Sequence, residues 1–358
     1  MKEIYTFAII GCGLIAESKH IPGITNNPDA RITALCDIIP ERAERLKAQF
    51  GLTDAAVYSD YREMLKDPDI DIVHIATPNP THCEITVAAF EAGKHVLTEK
   101  PLGLNREECE KMIAAAQKAG KKFTVGFNWR YRPEAQYLKR VMERGDLGEV
   151  YFAKAHATRY RAVPYWGQLI NGNNGGGVII DGAPHAIDLV LWLLDNYDVL
   201  SVKAHCYNKM KGKSEYNIWG PWPEEEFRVE DSGFAMITMK NGVTIMLEAA
   251  WLINMLSDDN KATLCGTEGG ADMFGEKGVR LNGVKYGKPY VLEPSLEDAG
   301  APFAIQTLCP EFTESRVWLD AIKNDTEVYV KPEQAMVVSQ ILDAVYRSSE
   351  TGKEIFFD

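Results

Sequence analysis

A lysine, an aspartate and a histidine stand out, because each lies where a turn meets a regular element. Lys100 ends the apolar run "HVLTEK" and precedes a proline, while Asp181 and His185 follow three glycines in "GGGVIIDGAPHAID". An ammonium can stabilise charge developing on an oxygen, and a neutral imidazole can take a proton. Pro184 suits a first helical position, so Asp181 and His185 flank a helix start, whose partial positive charge disfavours imidazolium. The plainer reading stays equally open: Asp181 caps the helix and His185 is a buried, satisfied histidine.

A second group is suited to holding phosphate. In "AIIGCGLIAESKH" (8–20), Gly11, Cys12, Gly13, Leu14 and Ile15 form a glycine-rich turn between an apolar strand and a helical pattern. Gly11 permits the tight turn, Gly13 removes a side chain that would block a pyrophosphate, and Ala16 allows close helix packing. Asp37 ends the next strand about 20 residues further on, where a carboxylate can accept from an adenosine ribose. It would repel a 2′-phosphate, so NAD is favoured over NADP; Arg42 keeps NADP open. Thr77, Pro78, Asn79 and His82 in "TPNPTH", and Glu99 beside Lys100, end two further strands, at the edge where open α/β sheets bind ligands.

These residues need a scaffold, and the patterning supplies one. Over the first ~125 residues, wholly apolar strands alternate with helical segments, the mark of a parallel sheet covered on both faces. The expected fold is therefore α/β: a Rossmann-type, doubly wound parallel sheet in 1–127, then an α+β domain in 128–358 with a large, mostly antiparallel open sheet. "FAMITMKNGVTIMLEAAW" (234–251) reads as two strands around Asn241-Gly242, a type I′ hairpin signal, with Val243, Ile245, Leu247, Ala249 and Trp251 on one face. A sheet face without helices needs a partner, so a homodimer or homotetramer through this sheet is expected.

Composition narrows the function classes. The 358 residues carry a net charge of −12, with 46% hydrophobic and 25% charged residues, as in soluble globular proteins. No basic block exists for nucleic acid, and no run approaches the ~20 apolar residues that cross a bilayer. The start lacks the features of a signal peptide, and seven scattered cysteines without a C-x-x-C pair read as free thiols, so a cytoplasmic location is expected. No histidine or cysteine cluster has metal-ligand spacing, so no metal is expected.

The segments "GCGLIA", "TPNPTH", "AGKHVLTEKP", "GFNWRYRP", "GGGVIIDGAPHAID", "VEDSGFAMITMKNG" and "GTEGG" together resemble the Gfo/Idh/MocA family, the oxidoreductases named for glucose–fructose oxidoreductase and inositol dehydrogenase. The resemblance covers nearly the whole chain. It implies NAD(P)-dependent hydride transfer between nicotinamide and a secondary alcohol or ketone of a sugar, inositol or related polyol. It places Lys100, Asp181 and His185 around the nicotinamide, with His185 as base, Asp181 orienting it or binding a hydroxyl, and Lys100 holding the reacting oxygen. It further implies a cis Lys100–Pro101 bond, cofactor contacts from Asn128 and Trp166, and Arg130, His156, Arg159 and Trp166 lining the substrate pocket. Gly167 stands where several relatives have arginine, so pocket contacts do not transfer from any single member. Two other readings use the same dinucleotide site: an NAD-dependent, redox-assisted glycosidase, and a non-catalytic dinucleotide-sensing regulator.

Overall fold

The computed structural model describes residues 2–164, 169–255, 260–274, 278–296 and 310–357. The chain forms two compact units, Met1–Tyr131 with Thr307–Ser339, and Arg132–Gln306 with Gln340–Asp358.

The first unit is built on strands β1 (Tyr5–Ile10), β2 (Ala30–Cys36), β3 (Ala56–Tyr58), β4 (Ile72–Ile75), β5 (His95–Thr98) and β6 (Phe123–Val125). They pair in parallel in the order β3-β2-β1-β4-β5-β6, the doubly wound topology whose order reverses between β1 and β4. Register aligns Ile10 with Cys36 and Ile75, Ile75 with Thr98, and Thr98 with Val125. The strands therefore end level, and Gly11, Asp37, Ala76, Glu99 and Gly126 follow along one edge. Gly11 has φ 93°, and a Cβ there would lie 2.5 Å from the Ala76 carbonyl oxygen, so only glycine lets the first loop pass the end of β4.

The helix Pro310–Lys323 completes this core from the far end of the sequence. Trp318 and Leu319 pack with Phe7, Ile9, Ile21, Ile24 and Leu97, and Thr124 Oγ1 donates to the Val330 carbonyl at 2.9 Å.

The second unit holds β7 (Val150–Thr158), β8 (Val199–Tyr207), β9 (Ser232–Met239), β10 (Thr244–Ala250), β11 (Ala262–Gly266), β12 (Gly269–Phe274), β13 (Gly278–Lys285), β14 (Lys288–Leu292) and β15 (Ile355–Phe356). They form one nine-stranded sheet, β14-β13-β12-β11-β7-β10-β9-β8-β15, antiparallel except where β7 meets β10. Ile245, Leu247 and Ala249 turn to the buried face, as their alternation requires, and the helix Ala183–Leu194 packs on that face against β7 and β10. On the other face stand Phe234, Met236, Tyr207, Lys154, His156 and Glu248, of which Met236 and Tyr207 are exposed.

The β9–β10 connection differs from the type I′ expectation. Met239 and Val243 close the ladder, the Gly242 N–H donates back to Met239, and only Gly242 has positive φ, at 92°. A type I′ turn needs positive φ at both central residues; here Lys240 and Asn241 make an ordinary turn and Gly242 supplies the left-handed third residue.

Replacing Trp318 with Ala is expected to cost the first unit about 3–5 kcal/mol, the usual range for deleting a buried tryptophan. Urea unfolding monitored by circular dichroism checks this; a variant with an unchanged midpoint would show that the helix is not part of the core.

Candidate active site

The glycine turn and Asp37 meet as expected. The Cys12 N–H donates to Asp37 Oδ2 at 2.8 Å, and the Ile39 N–H donates to Oδ1 at 2.8 Å. Asp37 thus ties the first loop to the end of β2, with Arg42 Nη1 4.0 Å from Oδ1. Cys12 itself faces inward: its thiol is fully buried and burial pushes it up to about 12, so it contributes backbone only. A Cβ on Gly13 would meet nothing within 4 Å, and Leu14, Ile15, Ile38 and Ile39 are exposed around the loop. Asn128, after β6, has a buried Oδ1 with no hydrogen-bond partner among the described residues. An open space over the glycine turn, apolar flanks for an adenine and an unused buried acceptor fit a dinucleotide. Backbone donors of residues 13–15 would hold its phosphates, Asp37 its ribose and Asn128 an amide.

The next two strand ends are held by groups that the sequence reading assigned elsewhere. His82 is buried, with Nδ1 3.0 Å from the Pro101 carbonyl and Nε2 2.9 Å from the Thr77 carbonyl. Burial, against the pull of those carbonyls, lowers its pKa. It sits between the "TPN" loop and the proline after Lys100, with its one N–H donating to one of these two carbonyls, rather than facing a ligand. The Lys100–Pro101 bond is cis. Thr77 Oγ1 accepts from Thr81 Oγ1 at 2.8 Å, Pro78 leads into a turn at Asn79–Thr81, and Asn79 is buried.

Glu99 also departs from its expected role as a cofactor contact. Its carboxylate turns inward, accepting from Lys19 Nζ at 2.7 Å and lying 3.0 Å from His20 Nε2, while the Lys100 N–H donates to its other oxygen at 3.3 Å. Lys19 also pairs with Glu314 at 2.9 Å. Lys19 and His20 both point inward because the helix opens with a π turn, Ala16–His20, whose wider spacing lets neighbouring residues share the interior. Burial alone would lower the Lys19 pKa and raise that of Glu99, but their mutual attraction wins, leaving Lys19 raised and Glu99 well below its ordinary value. Glu314, with Lys19 shared, is left raised by burial. His74, its Nδ1 3.0 Å from His20 Nδ1, is held well below its ordinary value by burial. The consistent assignment has His74 neutral, donating from Nδ1, and His20 donating from Nε2 to Glu99.

In the second unit Asp181 ends the short helix Val178–Asp181, and Pro184 opens the helix Ala183–Leu194 as expected. The Asp181 Oδ2 accepts from Trp251 Nε1 at 2.9 Å and lies 3.6 Å from Arg159 Nη1. His185 is partly exposed, with its Nδ1 buried, in a helix whose residues 183–193 are otherwise buried. The glycines before Asp181 serve packing. Gly176 has φ 158°, and a Cβ there would lie 2.0 Å from the Tyr346 hydroxyl; one on Gly177 would lie 2.2 Å from the Glu230 carbonyl oxygen. Glu230, raised by burial, accepts from Gly177 N at 2.9 Å, Ile179 N at 3.0 Å and Tyr346 Oη at 2.8 Å, and so fixes the helix that ends in Asp181.

The pocket candidates separate. Arg159 stands beside Asp181. His156 lies on the opposite sheet face from Ala157, whose Cβ approaches Gly182 beneath the helix; its Nδ1 is 3.0 Å from Glu248 Oε2, so it cannot line a pocket with Asp181. Arg130 is fully buried, donating to Gln334 Oε1 at 2.8 Å, and serves the packing of the first unit. Trp166 lies outside the described residues. Lys19, Glu230 and Trp251 were missed; a lysine inside an apolar helix pattern was the one visible signal, since Lys19 falls between Ala16 and Ile21 on the inward side.

Residues 5–127 match the family described as "Oxidoreductase family, NAD-binding Rossmann fold", and residues 135–272 match the "GFO/IDH/MocA C-terminal domain". The D-glucoside 3-dehydrogenase of Escherichia coli (strain K12) is 29% identical over 97% of this chain and 96% of its own. An inositol 2-dehydrogenase/D-chiro-inositol 3-dehydrogenase of Lactiplantibacillus plantarum is 29% identical over 73% of this chain and 69% of its own. The crystal structure of an aldose-aldose oxidoreductase from Caulobacter crescentus superposes with a TM-score of 0.82 at 23% identity, over 99% of this chain and 100% of that one.

Removing the Lys19 ammonium leaves two buried carboxylates facing each other. Lys19→Met is expected to destabilise the protein by about 3–5 kcal/mol, and adding Glu99→Gln and Glu314→Gln to recover part of the loss, read by thermal unfolding. Because Glu99 is depressed in the fold, its contribution is present above the ordinary glutamate pKa and is lost as pH falls toward the folded value. The wild-type Tm should therefore fall more steeply than that of Glu99→Gln as pH drops below about 4.5; parallel curves would refute the depressed carboxylate.

Proposed function

As the chain belongs to the Gfo/Idh/MocA oxidoreductase family, we propose that it is an NAD-dependent dehydrogenase acting on a secondary hydroxyl of a sugar, inositol or related polyol. The observation that carries the catalytic reading is the pair Asp181 and His185: a carboxylate held by Trp251 and Arg159, four residues before the one partly exposed residue of the otherwise buried stretch 183–193. Bound NAD supplies the hydride acceptor at nicotinamide C4. His185 takes the hydroxyl proton on a ring nitrogen as the alcohol is oxidised and returns it in the reverse direction. Asp181, its Oδ2 bonded to Trp251, orients the imidazole or binds a substrate hydroxyl. Lys100, the first partly exposed residue after the buried run Val96–Glu99, donates to the reacting oxygen and stabilises its developing charge. Asp37 favours NAD over NADP by repelling a 2′-phosphate. The named relatives are dehydrogenases, which supports net turnover over the glycosidase and regulator readings.

The open sheet face supports a homo-oligomer. Phe234, Met236 and Tyr207 sit there beside Lys154, His156 and Glu248, a mixed apolar and charged surface suited to a second copy. The six described cysteines are free thiols, which fits a cytoplasmic location, and no described helix is long and apolar enough to cross a membrane.

Two measurements test these readings. A screen of aldoses, glycosides and inositols should yield a substrate that reduces NAD faster than NADP. With it, His185→Ala and Lys100→Met should each lower kcat by about 10²-fold or more, with NAD affinity within a few fold; undiminished kcat would remove that residue from the chemistry. Light scattering should give a dimer or larger, and Met236→Glu should shift it toward monomer; a wild-type monomer would refute the assembly.

A further inference from the structure

The segment 208–230 carries two tryptophans three residues apart, with opposite environments. Trp222 is buried, donates from Nε1 to the Lys211 carbonyl at 2.9 Å and packs against Phe227, with ring centroids 5.5 Å apart. Phe227 in turn meets Trp251 edge-on at 6.5 Å, and Trp251 holds Asp181. Trp222 thus builds the wall behind the carboxylate. Trp219 does the reverse: its side chain is 39% exposed, and the Arg159 guanidinium lies over its ring, 5.7 Å from the centroid. That guanidinium is the group 3.6 Å from Asp181 Oδ2.

Trp219 is also held in place. Asn217, just before it, accepts from the Val163 N–H at 2.8 Å and donates to the Val163 carbonyl at 3.0 Å and to Gly220 at 2.9 Å. The Ile218 N–H donates to the Arg161 carbonyl at 2.9 Å. Residue 161 bridges to Leu252, and the Ala162 N–H donates to Trp251, so 217–218 adds to the extended backbone that carries both Arg159 and Trp251. Four hydrogen bonds at Asn217 and Ile218 therefore fix the turn that carries this exposed indole to the backbone bearing Arg159 and Trp251. A surface loop that merely closed the chain would not need to present its aromatic residue so rigidly beside a functional carboxylate.

We propose that Trp219 and Arg159 form a ring-binding subsite, which rests on the dehydrogenase reading and narrows its substrate to compounds with a six-membered, polyhydroxylated ring. The indole face takes the C–H face of the ring, while the guanidinium and Asp181 take hydroxyls from its edge. With Arg159 already balanced by Asp181, the subsite suits an uncharged ring rather than a sugar phosphate.

The test uses the full chain with Trp219→Phe and Trp219→Ala. Steady-state kinetics are run on the best cyclic substrate and on an open-chain polyol, with calorimetric titration of the same cyclic sugar into NADH-loaded protein. Trp219→Ala should raise KM and Kd for the cyclic substrate tenfold or more with kcat within about twofold, Trp219→Phe should restore most of the affinity, and open-chain KM should not move. Unchanged KM and Kd in Trp219→Ala while the wild type oxidises the sugar would overturn the subsite alone. Equal losses for cyclic and open-chain substrates, or a loss of kcat alone, would also overturn it by marking a structural role. Thermal unfolding of both variants identifies misfolding, and Trp219→Phe then decides: affinity near wild type supports the subsite, and loss of ring affinity with a wild-type Tm overturns it. No binding and no turnover with any sugar would overturn both the subsite and the dehydrogenase reading.

Discussion

One buried ammonium organises the dinucleotide-binding unit. Lys19 joins three parts of the chain far apart in sequence: the helix after the glycine turn, the end of β5 through Glu99, and the helix Pro310–Lys323 through Glu314. Charges taken from water are costly unless paired at short range, so this cluster permits very little displacement of its members. Glu99 precedes Lys100 and accepts its N–H, so the tolerance of the buried cluster passes directly to the backbone of the lysine. His82 lies on the other side of the same turn, its Nδ1 beside the Pro101 carbonyl.

The second unit solves a similar problem with one shared carboxylate. Glu230 gathers two backbone N–H groups and a phenol at the start of the short helix Val178–Asp181, in a space that only glycine leaves open. In both units the group that touches substrate in the proposed mechanism is partly exposed, and an acid behind it, Glu99 or Glu230, sets the backbone.

Much of this was legible in the sequence. The glycine turn, Asp37 and the level strand ends follow from local pattern, since apolar strands and turn residues encode themselves within a few positions. The hairpin at 239–243 was legible as a hairpin but not as a turn type, because the choice between a two-residue and a three-residue loop depends on strand register. What could not be read was long-range. Nothing local marks Glu314 as the partner of Lys19, or Trp251 as the donor to Asp181. His156 failed for a different reason: one step along β7 reverses the face, and the sequence does not say which face bears the helix.

The arrangement of the first core has a consequence for biosynthesis. A ribosome delivers strands β1 to β6 roughly two hundred residues before it delivers Trp318, Leu319 and Glu314. During that interval the nascent sheet carries an uncovered apolar flank and a lysine facing only one of its two acids. The apolar core of the parallel sheet therefore closes only once residues 310–323 have been made.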